Sequence, residues 1–241
     1  MTLHSAIYSS LLVAFLLSVA GDSRAAVVTG KIELRDSTVA AIAKRGDYSG
    51  VIVSLQAVNE PVPAPAKRAT VAQRNKTFLP HVLPVLVGST VDFPNSDPIF
   101  HNAFSSYSGQ IFDVGLYPPG TTRSVRFNRP GVVRVFCNIH PAMSGVILVL
   151  STPWFTSTVR DGSFQLDVPP GTYDFAVFHE RATAQTLREL TQRIVVNAEG
   201  ARVKLMGVSE AGYLLAPHKN KFGQEYSPQP DDKVFYPGVR Q

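Results

Sequence analysis

The chain has 241 residues, of which 44% are hydrophobic and 17% are charged, and its formal net charge at pH 7 is +5. This composition is ordinary for a globular protein that buries a sizeable core, and the length allows one large or two small domains. The Lys and Arg residues are scattered and are not interleaved with stacking aromatic residues, so we expect no nucleic-acid binding. The positive net charge favours an acidic partner, and the alternative is that the basic residues simply form a solvated surface.

The first predicted element is an export signal. Residues 11–20 form an apolar run that is too short to span a bilayer, and small residues follow it. Cleavage after Ala20 or Ala25 would make residues 1–25 a signal peptide and deliver the mature chain to the periplasm. Residues 1–10 lack Lys and Arg, so an uncleaved anchor or a core strand is the alternative. No later segment is long and apolar enough to span a membrane, so we expect no transmembrane segment in the mature chain.

The rest of the chain is predicted to be all-β. Short runs with alternating apolar and polar residues recur between turn residues, and helical periodicity is almost absent. The predicted strands are 27–34, 51–58, 85–93, 124–127, 132–137, 145–150, 155–159, 163–168, 173–178, 193–197 and 202–206. Gly88 and Ser89 predict a kink within the third run. The one helix candidate is a short polar stretch, 182–190.

Proline-rich segments mark the predicted boundaries. Residues 61–66 (PVPAPA) are typical of a stiff extended linker, and residues 151–153 (STP) indicate a second boundary. Residues 207–241 carry four prolines among charged and aromatic residues, which predicts an extended tail.

The single cysteine, Cys137, lies in the segment 136–143 (FCNIHPAM), with His140 and Met143 after it and His101 upstream. In an oxidising compartment a lone cysteine is a free thiol, an intermolecular partner or a metal ligand. Taken singly, a cysteine that ends an apolar strand is usually a small buried hydrophobic residue, and a methionine is usually core. Two imidazoles, a thiolate and a thioether together are the ligands of copper in electron-transfer sites. Zinc is the alternative metal, but a thioether is a poor zinc ligand.

These motifs give residues 68–150 a resemblance to the cupredoxins, closest to the amicyanin and plastocyanin group. The matching pieces are 87–95 (VGSTVDFPN), His101 with the asparagine after it, and the 136–143 segment, in which the two residues between His140 and Met143 match amicyanin. The resemblance implies a Greek-key β-barrel or sandwich that holds one type 1-like copper ion. It implies that His101 and His140 bind through a ring nitrogen, Cys137 through sulfur, and Met143 weakly along the axis.

The resemblance also implies roles for the neighbours of the ligands. Asn102 would tie the two ligand loops together by hydrogen bonds, and Phe136, Asn138 and Pro141 would flank the ligands and influence the metal. Electrons would leave through the exposed edge of His140. Asn138 stands where the family often has a small hydroxyl residue, so the hydrogen bonding to the sulfur is expected to differ.

A second resemblance covers residues 161–173 (DGSFQLDVPPGTY), which are similar to the carboxypeptidase regulatory-like, transthyretin-like β-sandwich. That module is known for structural or interaction roles. Its opening strands are missing just upstream, and residues 30–34 and 50–55 fit them. We therefore expect a second, small Ig/transthyretin-like sandwich made of residues 27–60 plus 154–206, with the cupredoxin-like segment inserted at a loop. The alternative is that residues 27–60 simply pack on the cupredoxin-like segment.

The remaining histidines and two aspartates are expected to have structural positions and no part in the metal site. His81 is expected at the surface, with a partner or second metal site as the alternative, and His179 and His218 are expected to have no functional role. Asp97 and Asp113 are expected to be turn or edge residues.

The sequence thus predicts an exported, non-enzymatic single-electron carrier with one copper ion and a redox partner protein, an acidic one being favoured by the charge. Copper enzymes of the cupredoxin type place histidines beside the cysteine, whereas Phe136 and Asn138 stand here. The alternative is a copper-binding accessory or interaction protein, such as a carrier, sensor or assembly factor, without redox shuttling. A third hypothesis is that the chain is a β-sandwich adhesion protein whose metal site is vestigial. Some similar proteins are associated with methylamine utilisation, but no residue here indicates amine chemistry.

Overall fold

The computed structural model describes residues 25–58, 67–106, 109–214 and 218–226. Residues 1–24 of the predicted signal, the 61–66 linker, and residues 215–217 and 227–241 of the predicted tail therefore lie outside the described residues. Its regular structure is mostly β-strand, and the all-β prediction is confirmed. The strands are β1 (Ala26–Arg35), β2 (Ile52–Ala57), β3 (Arg68–Thr70), β4 (Ala72–Arg74), β5 (Thr77–Leu79), β6 (Val82–Leu86), β7 (Thr90–Pro94), β8 (Phe104–Ser105), β9 (Phe112–Asp113), β10 (Thr122–Arg126), β11 (Gly131–Phe136), β12 (Ser144–Leu150), β13 (Phe155–Ser157), β14 (Ser163–Val168), β15 (Gly171–Phe178), β16 (Gln192–Val196), β17 (Ala201–Arg202) and β18 (Met206–Ser209). The helices in the described ranges are α1 (Ala40–Ala43) and α2 (Ala184–Glu189).

The structure differs from the predicted elements mainly where strands are short. The run 85–93 is divided between β6 and β7, and Gly88 between them has φ +87°, a backbone conformation that glycine adopts at little cost. The run 202–206 is divided between β17 and β18, so β18 extends into the segment that was predicted to be tail. Strands of two or three residues, such as β8 and β9, are too short for a periodic signal.

The strands β1 and β2 together with the strands β13 to β18 form two facing sheets. In one sheet β1 lies between β14 and β17 and also pairs with β18, and in the other the order is β13-β2-β15-β16. The alternating pattern of β15 places Tyr173, Phe175 and Val177 in the buried core. Side chains from both sheets form one hydrophobic cluster, which we call the sandwich core; its buried members include Val28, Ile32, Leu55, Phe164, Phe175 and Val208.

The chain leaves the sandwich after β2 and returns to it at β13, and these two strands are antiparallel neighbours that pair Ser54 with Phe155. The Thr152 hydroxyl donates a hydrogen bond to the Leu55 carbonyl oxygen at 2.6 Å, which fixes the point of return. The strands on either side of the intervening segment therefore belong to one sheet.

The intervening segment has a hydrophobic cluster of its own, which we call the barrel core. Its sheets have the orders β10-β7-β3 and β6-β12-β11-β8-β9, and β4 and β5 form a separate ribbon. The buried members of the barrel core include Phe78, Phe93, Tyr117, Phe127, Val133, Cys137, Met143 and Ile147. The predicted ligands Cys137 and Met143 are thus part of a packed interior.

The strand β12 lies between β6 and β11 and is buried along most of its length. Ile147 and Val149 face the barrel core, and the alternating residues Val146 and Leu148 are buried on the opposite face. The parts of the chain that the structure describes contain no helix long and apolar enough to cross a membrane.

Candidate metal centre

A tight loop between β11 and β12 carries three of the four predicted ligands. The pairing of Phe136 with Ser144 closes this loop at its base. The Cys137 amide donates a hydrogen bond to the Met143 carbonyl oxygen at 3.1 Å, and the Met143 amide donates to the His140 carbonyl oxygen at 3.0 Å. These bonds hold the loop in one conformation between two paired strands, which makes it a rigid platform for a site.

The fourth predicted ligand, His101, comes from a different segment. The amide of His101 donates to the Tyr117 carbonyl oxygen at 3.1 Å, and the Tyr117 amide donates back at 2.9 Å. Phe104 then pairs with Phe136 at the end of β11. The chain that follows His101 is therefore hydrogen-bonded to the strand that delivers Cys137.

The structure brings the donor atoms of His101, Cys137 and His140 together, all within 4.8 Å of one another. The two Nδ1 atoms are 3.1 Å apart, and the Cys137 sulfur lies 3.5 Å from Nδ1 of His140 and 3.9 Å from Nδ1 of His101. The three side chains are buried, with His101 and Cys137 at 0% exposure and His140 at 8%. Of the two histidines, His140 is thus the one that keeps some contact with solvent.

Met143 is 1% exposed and belongs to the same hydrophobic cluster as Cys137. Its backbone bonds to Cys137 and His140 place the residue at the closing end of the loop. A nitrogen–nitrogen–sulfur donor set with an adjacent thioether suits copper better than the hard cations, which prefer oxygen ligands. The role of Met143 as an axial ligand stays a prediction.

The electrostatics of the site favour neutral groups until a metal binds. Burial raises the pKa of the Cys137 thiol, and backbone hydrogen bonds from Ile139, Asn102 and His140 counteract that rise only in part. Burial lowers the pKa of His101 although the nearby Asp97 acts in the opposite sense. A neutral imidazole is the form that binds a metal, and binding would release the thiol proton.

Asp97 is a partner of the site that the sequence reasoning missed. Its carboxylate accepts a hydrogen bond from Nε2 of His101 at 2.8 Å, which leaves Nδ1 as the free donor atom. The same carboxylate accepts the amides of Asn75 at 2.6 Å and Lys76 at 2.9 Å. Burial acts to raise the pKa of Asp97, but these hydrogen bonds outweigh it and lower the pKa. The expectation of a simple turn residue was therefore incomplete, and the spacing of four residues from His101 was its only signal in the sequence.

Asn102 directly follows His101 in the sequence and is hydrogen-bonded to the loop that carries Cys137. Its side-chain oxygen accepts the Asn138 amide at 3.3 Å, and its amide group donates to Asp113 at 2.7 Å and to the Gly115 carbonyl oxygen at 2.9 Å. Asp113, expected at a turn or edge, thus also contributes to the surroundings of the site.

The remaining predicted neighbours contact the C-terminal segment. The ring of Phe136 stacks on His218 with centroids 4.0 Å apart, and Nε2 of His218 bonds the Pro141 carbonyl oxygen at 2.7 Å. The side-chain oxygen of Asn138 accepts the Lys221 amide at 2.9 Å. No local sequence pattern indicates these contacts, because the hydrogen-bonded residues lie 77 and 83 positions apart in the chain.

The other histidines lie outside the cluster. In the described ranges, the one group of three or more candidate metal-binding side chains is His101, Cys137 and His140. His81 bonds Glu180 at 2.8 Å and the Ser144 carbonyl oxygen at 3.1 Å, so it joins the sandwich to the base of the ligand loop.

No protein-family model matches the chain. Amicyanin-alpha of Methylorubrum extorquens is 33% identical over 99 residues, which cover 40% of this chain and 81% of amicyanin-alpha. The methylamine utilization protein MauL of the same organism is 39% identical over 56 residues, which cover 23% of this chain and 49% of MauL, so the chain spans about half of that relative. Among solved structures, a purple cupredoxin from Nitrosopumilus maritimus is 26% identical with a TM-score of 0.33, covering 34% of this chain and 99% of that cupredoxin.

The extent of the match to amicyanin-alpha decides the family. That match includes most of the relative and falls on less than half of this chain. The chain carries a cupredoxin-like domain, and through this domain it belongs to the same family as amicyanin.

Proposed function

We propose that the protein is an exported single-electron carrier that binds one copper ion in a type 1-like site and that it is not an enzyme. The observation that carries the proposal is the convergence of three buried donor atoms, from His101, Cys137 and His140, within 4.8 Å. Imidazole and thiolate ligands together suit copper, and Met143 would add the weak axial thioether. Membership of the amicyanin family supports the copper and electron-transfer parts of the proposal. A bound copper ion would supply the one-electron change between its two oxidation states.

The residues of the chain would keep the site rigid and dry. His101 is held by Asp97 at one ring nitrogen, and the loop that carries Cys137 is closed by backbone bonds at both ends. Donor atoms that the fold holds in place need little rearrangement when an electron arrives or leaves. His140, as the more exposed of the two histidines, is the proposed exit for the electron.

The proposal includes the location and the partner. Residues 1–25 are proposed as the export signal to the periplasm, and a redox partner protein would exchange the electron. A net charge of +5 favours an acidic partner. Oppositely charged surfaces would make the association rate fall as the ionic strength rises, and a rate that is indifferent to salt contradicts this part.

We also propose that residues 68–150 form the cupredoxin-like domain and that residues 27–60 plus 154–206 form a discontinuous, transthyretin-like sandwich. The pairing of β2 with both β13 and β15 supports this division, because each pairing joins strands from the two sides of the intervening segment. The separate sandwich and barrel cores support it as well.

The visible spectrum after addition of Cu(II) tests the function, with Cys137→Ser as the variant. The expected result is an intense blue band in the unaltered protein that a reductant bleaches and an oxidant restores. The band needs the Cys137 thiolate, so the serine variant should lack it. A spectrum that is the same in both proteins contradicts the proposal.

A matched pair of methionine variants tests the axial role. Met143→Leu should keep a cysteine-dependent band while its position and the reduction potential change. Met206 is partly buried and packs against the sandwich core, so Met206→Leu should leave the band position and the reduction potential unchanged. Equal spectra and potentials in the two variants contradict an axial role for Met143.

The second candidate is a copper-binding accessory protein without redox shuttling. The contacts of residues 218–226 with the ligand loop favour it, because they cover part of the surface that a redox partner would approach. Such a protein would bind Cu(I) and would show no stable blue Cu(II) form in the same experiment.

A further inference from the structure

The segment 218–226, which we call the C-terminal clamp, contacts the ligand loop through three hydrogen bonds. The Tyr226 hydroxyl donates to the Cys137 carbonyl oxygen at 2.9 Å, and Nε2 of His218 bonds the Pro141 carbonyl oxygen at 2.7 Å. The Lys221 amide donates to the side-chain oxygen of Asn138 at 2.9 Å. The bonds fall on both sides of the turn that presents His140.

Two residues of the clamp, Tyr226 and His218, also contact each other. The Tyr226 hydroxyl oxygen lies 3.1 Å from Nδ1 of His218, and the rings of these residues meet edge to face with centroids 5.3 Å apart. The His218 ring also stacks on Phe136 at 4.0 Å, at the end of the strand that delivers the cysteine. The hydrogen bonds of Tyr226 and His218 to the ligand loop and the stacking of His218 on Phe136 therefore form one connected set of contacts.

The clamp also reaches the second ligand segment. Nζ of Lys221 donates to Asp113 at 2.6 Å, and the other oxygen of Asp113 accepts the side-chain amide of Asn102. Asn102 directly follows His101 and bonds the Asn138 amide. One short segment thus restrains both parts of the chain that converge on the donor cluster.

We propose that the C-terminal clamp is a working part of the metal centre, with Tyr226 and His218 as positioning residues that fix the Cys137 loop from outside. This inference rests on the proposed function, because it assigns the clamp a role at the proposed copper site. Groups that hold metal ligands in place without touching the metal typically change affinity by about 10- to 100-fold when they are removed. A clamp that served folding alone would have no such effect on the bound metal.

The test compares single substitutions in the full-length, copper-loaded protein. Tyr226→Phe removes one hydroxyl group, and His218→Phe keeps an aromatic ring against Phe136 while it removes the hydrogen bonds. Leu214→Ala is the control, because this residue is 85% exposed and lies in the C-terminal part of the chain but outside the clamp. The measurements are the position of the cysteine-dependent visible band and the rate of copper release to a chelator.

We expect Tyr226→Phe and His218→Phe to shift the band and to release copper about 10-fold faster, and the control to match the unaltered protein. If both variants lose thermal stability but keep the unaltered band and release rate, the clamp is only a structural element and the inference is wrong.

A second measurement keeps this inference separate from the proposed function. If the unaltered protein forms no cysteine-dependent band, the proposed function fails, and the clamp is then judged on the copper-free protein. Cys137 is fully buried there, so its reaction with a thiol reagent reports opening of the loop. Tyr226→Phe should react several-fold faster than Leu214→Ala, and equal rates would contradict the inference about the clamp.

Discussion

The sandwich core and the barrel core differ in what their buried polar side chains do. Near the sandwich core, the buried Thr158 satisfies backbone groups, since its hydroxyl donates to the Tyr48 carbonyl oxygen and accepts the Val51 amide. Among the residues that the structure describes, buried polar residues are more numerous near the barrel core, where they gather around the donor cluster; they include Gln73, Asn95, Asp97, His101, Asn102 and His140. Burying polar groups costs free energy unless they are bonded. Around the donor cluster, hydrogen bonds such as the one between Asp97 and His101 offset this cost.

The largest expected effect comes from removing a ring in the sandwich core. Phe175→Ala deletes a side chain of zero exposure and should lower the free energy of unfolding by about 3 to 5 kcal/mol. The folded fraction should keep the copper spectrum unchanged, because Phe175 belongs to the other core. Chemical denaturation and the visible spectrum check the two statements. Val195→Ala, exposed on the neighbouring strand, should change stability by less than about 0.5 kcal/mol.

The next largest effect is expected at Asp97. Asp97→Asn removes the charge that holds Nε2 of His101 and should weaken copper binding by about 10- to 100-fold. Asp92→Asn is the control, because Asp92 forms an exposed pair with Arg68 on the same domain. Competition with a chelator measures both affinities. Equal affinities in the two variants would show that Asp97 has no influence on the metal.

The smallest effect concerns the contact between the two regions. The hydrogen bond to Glu180 raises the pKa of His81 against the opposing effect of burial. A raised pKa stabilises the fold below the unfolded-state value of about 6.5, and this contribution is lost as the pH rises through the folded-state pKa. Because His81 is partly exposed, the contribution should stay below about 1 kcal/mol.

The pH dependence of stability in His81→Gln tests this contact. The unaltered protein should exceed the variant in unfolding free energy at pH 5.5, and the difference should shrink at pH 9. A difference that is the same at both pH values would show that the ion pair with Glu180 does not contribute.

The sequence predicted the parts of the molecule that have local signals. The run 132–137, the turn after it and the run 145–150 are all local, and the structure has β11, the ligand loop and β12 at those places. The convergence of His101 on that loop was expected from the resemblance, because no local pattern places residue 101 beside residue 140. Asp97 was missed because a carboxylate four residues from a histidine is common. The clamp was missed because the contacts of His218 and Tyr226 join residues 77 and 89 positions apart in the sequence. The strands β3, β4, β5, β8 and β9 are held by their neighbours in the sheets and not by their own propensity.

The neighbouring positions of β2 and β13 have a consequence for synthesis of the chain. The hydrogen bond from Thr152 to Leu55 joins residues 97 positions apart, so the first two strands leave the ribosome long before the partners that complete their sheets. Long-range pairing of this kind slows folding and leaves strand edges open in the interval. The local contacts between β11 and β12 can form first. The segment that carries the donor cluster is therefore expected to fold ahead of the sandwich strands that precede and follow it in the sequence.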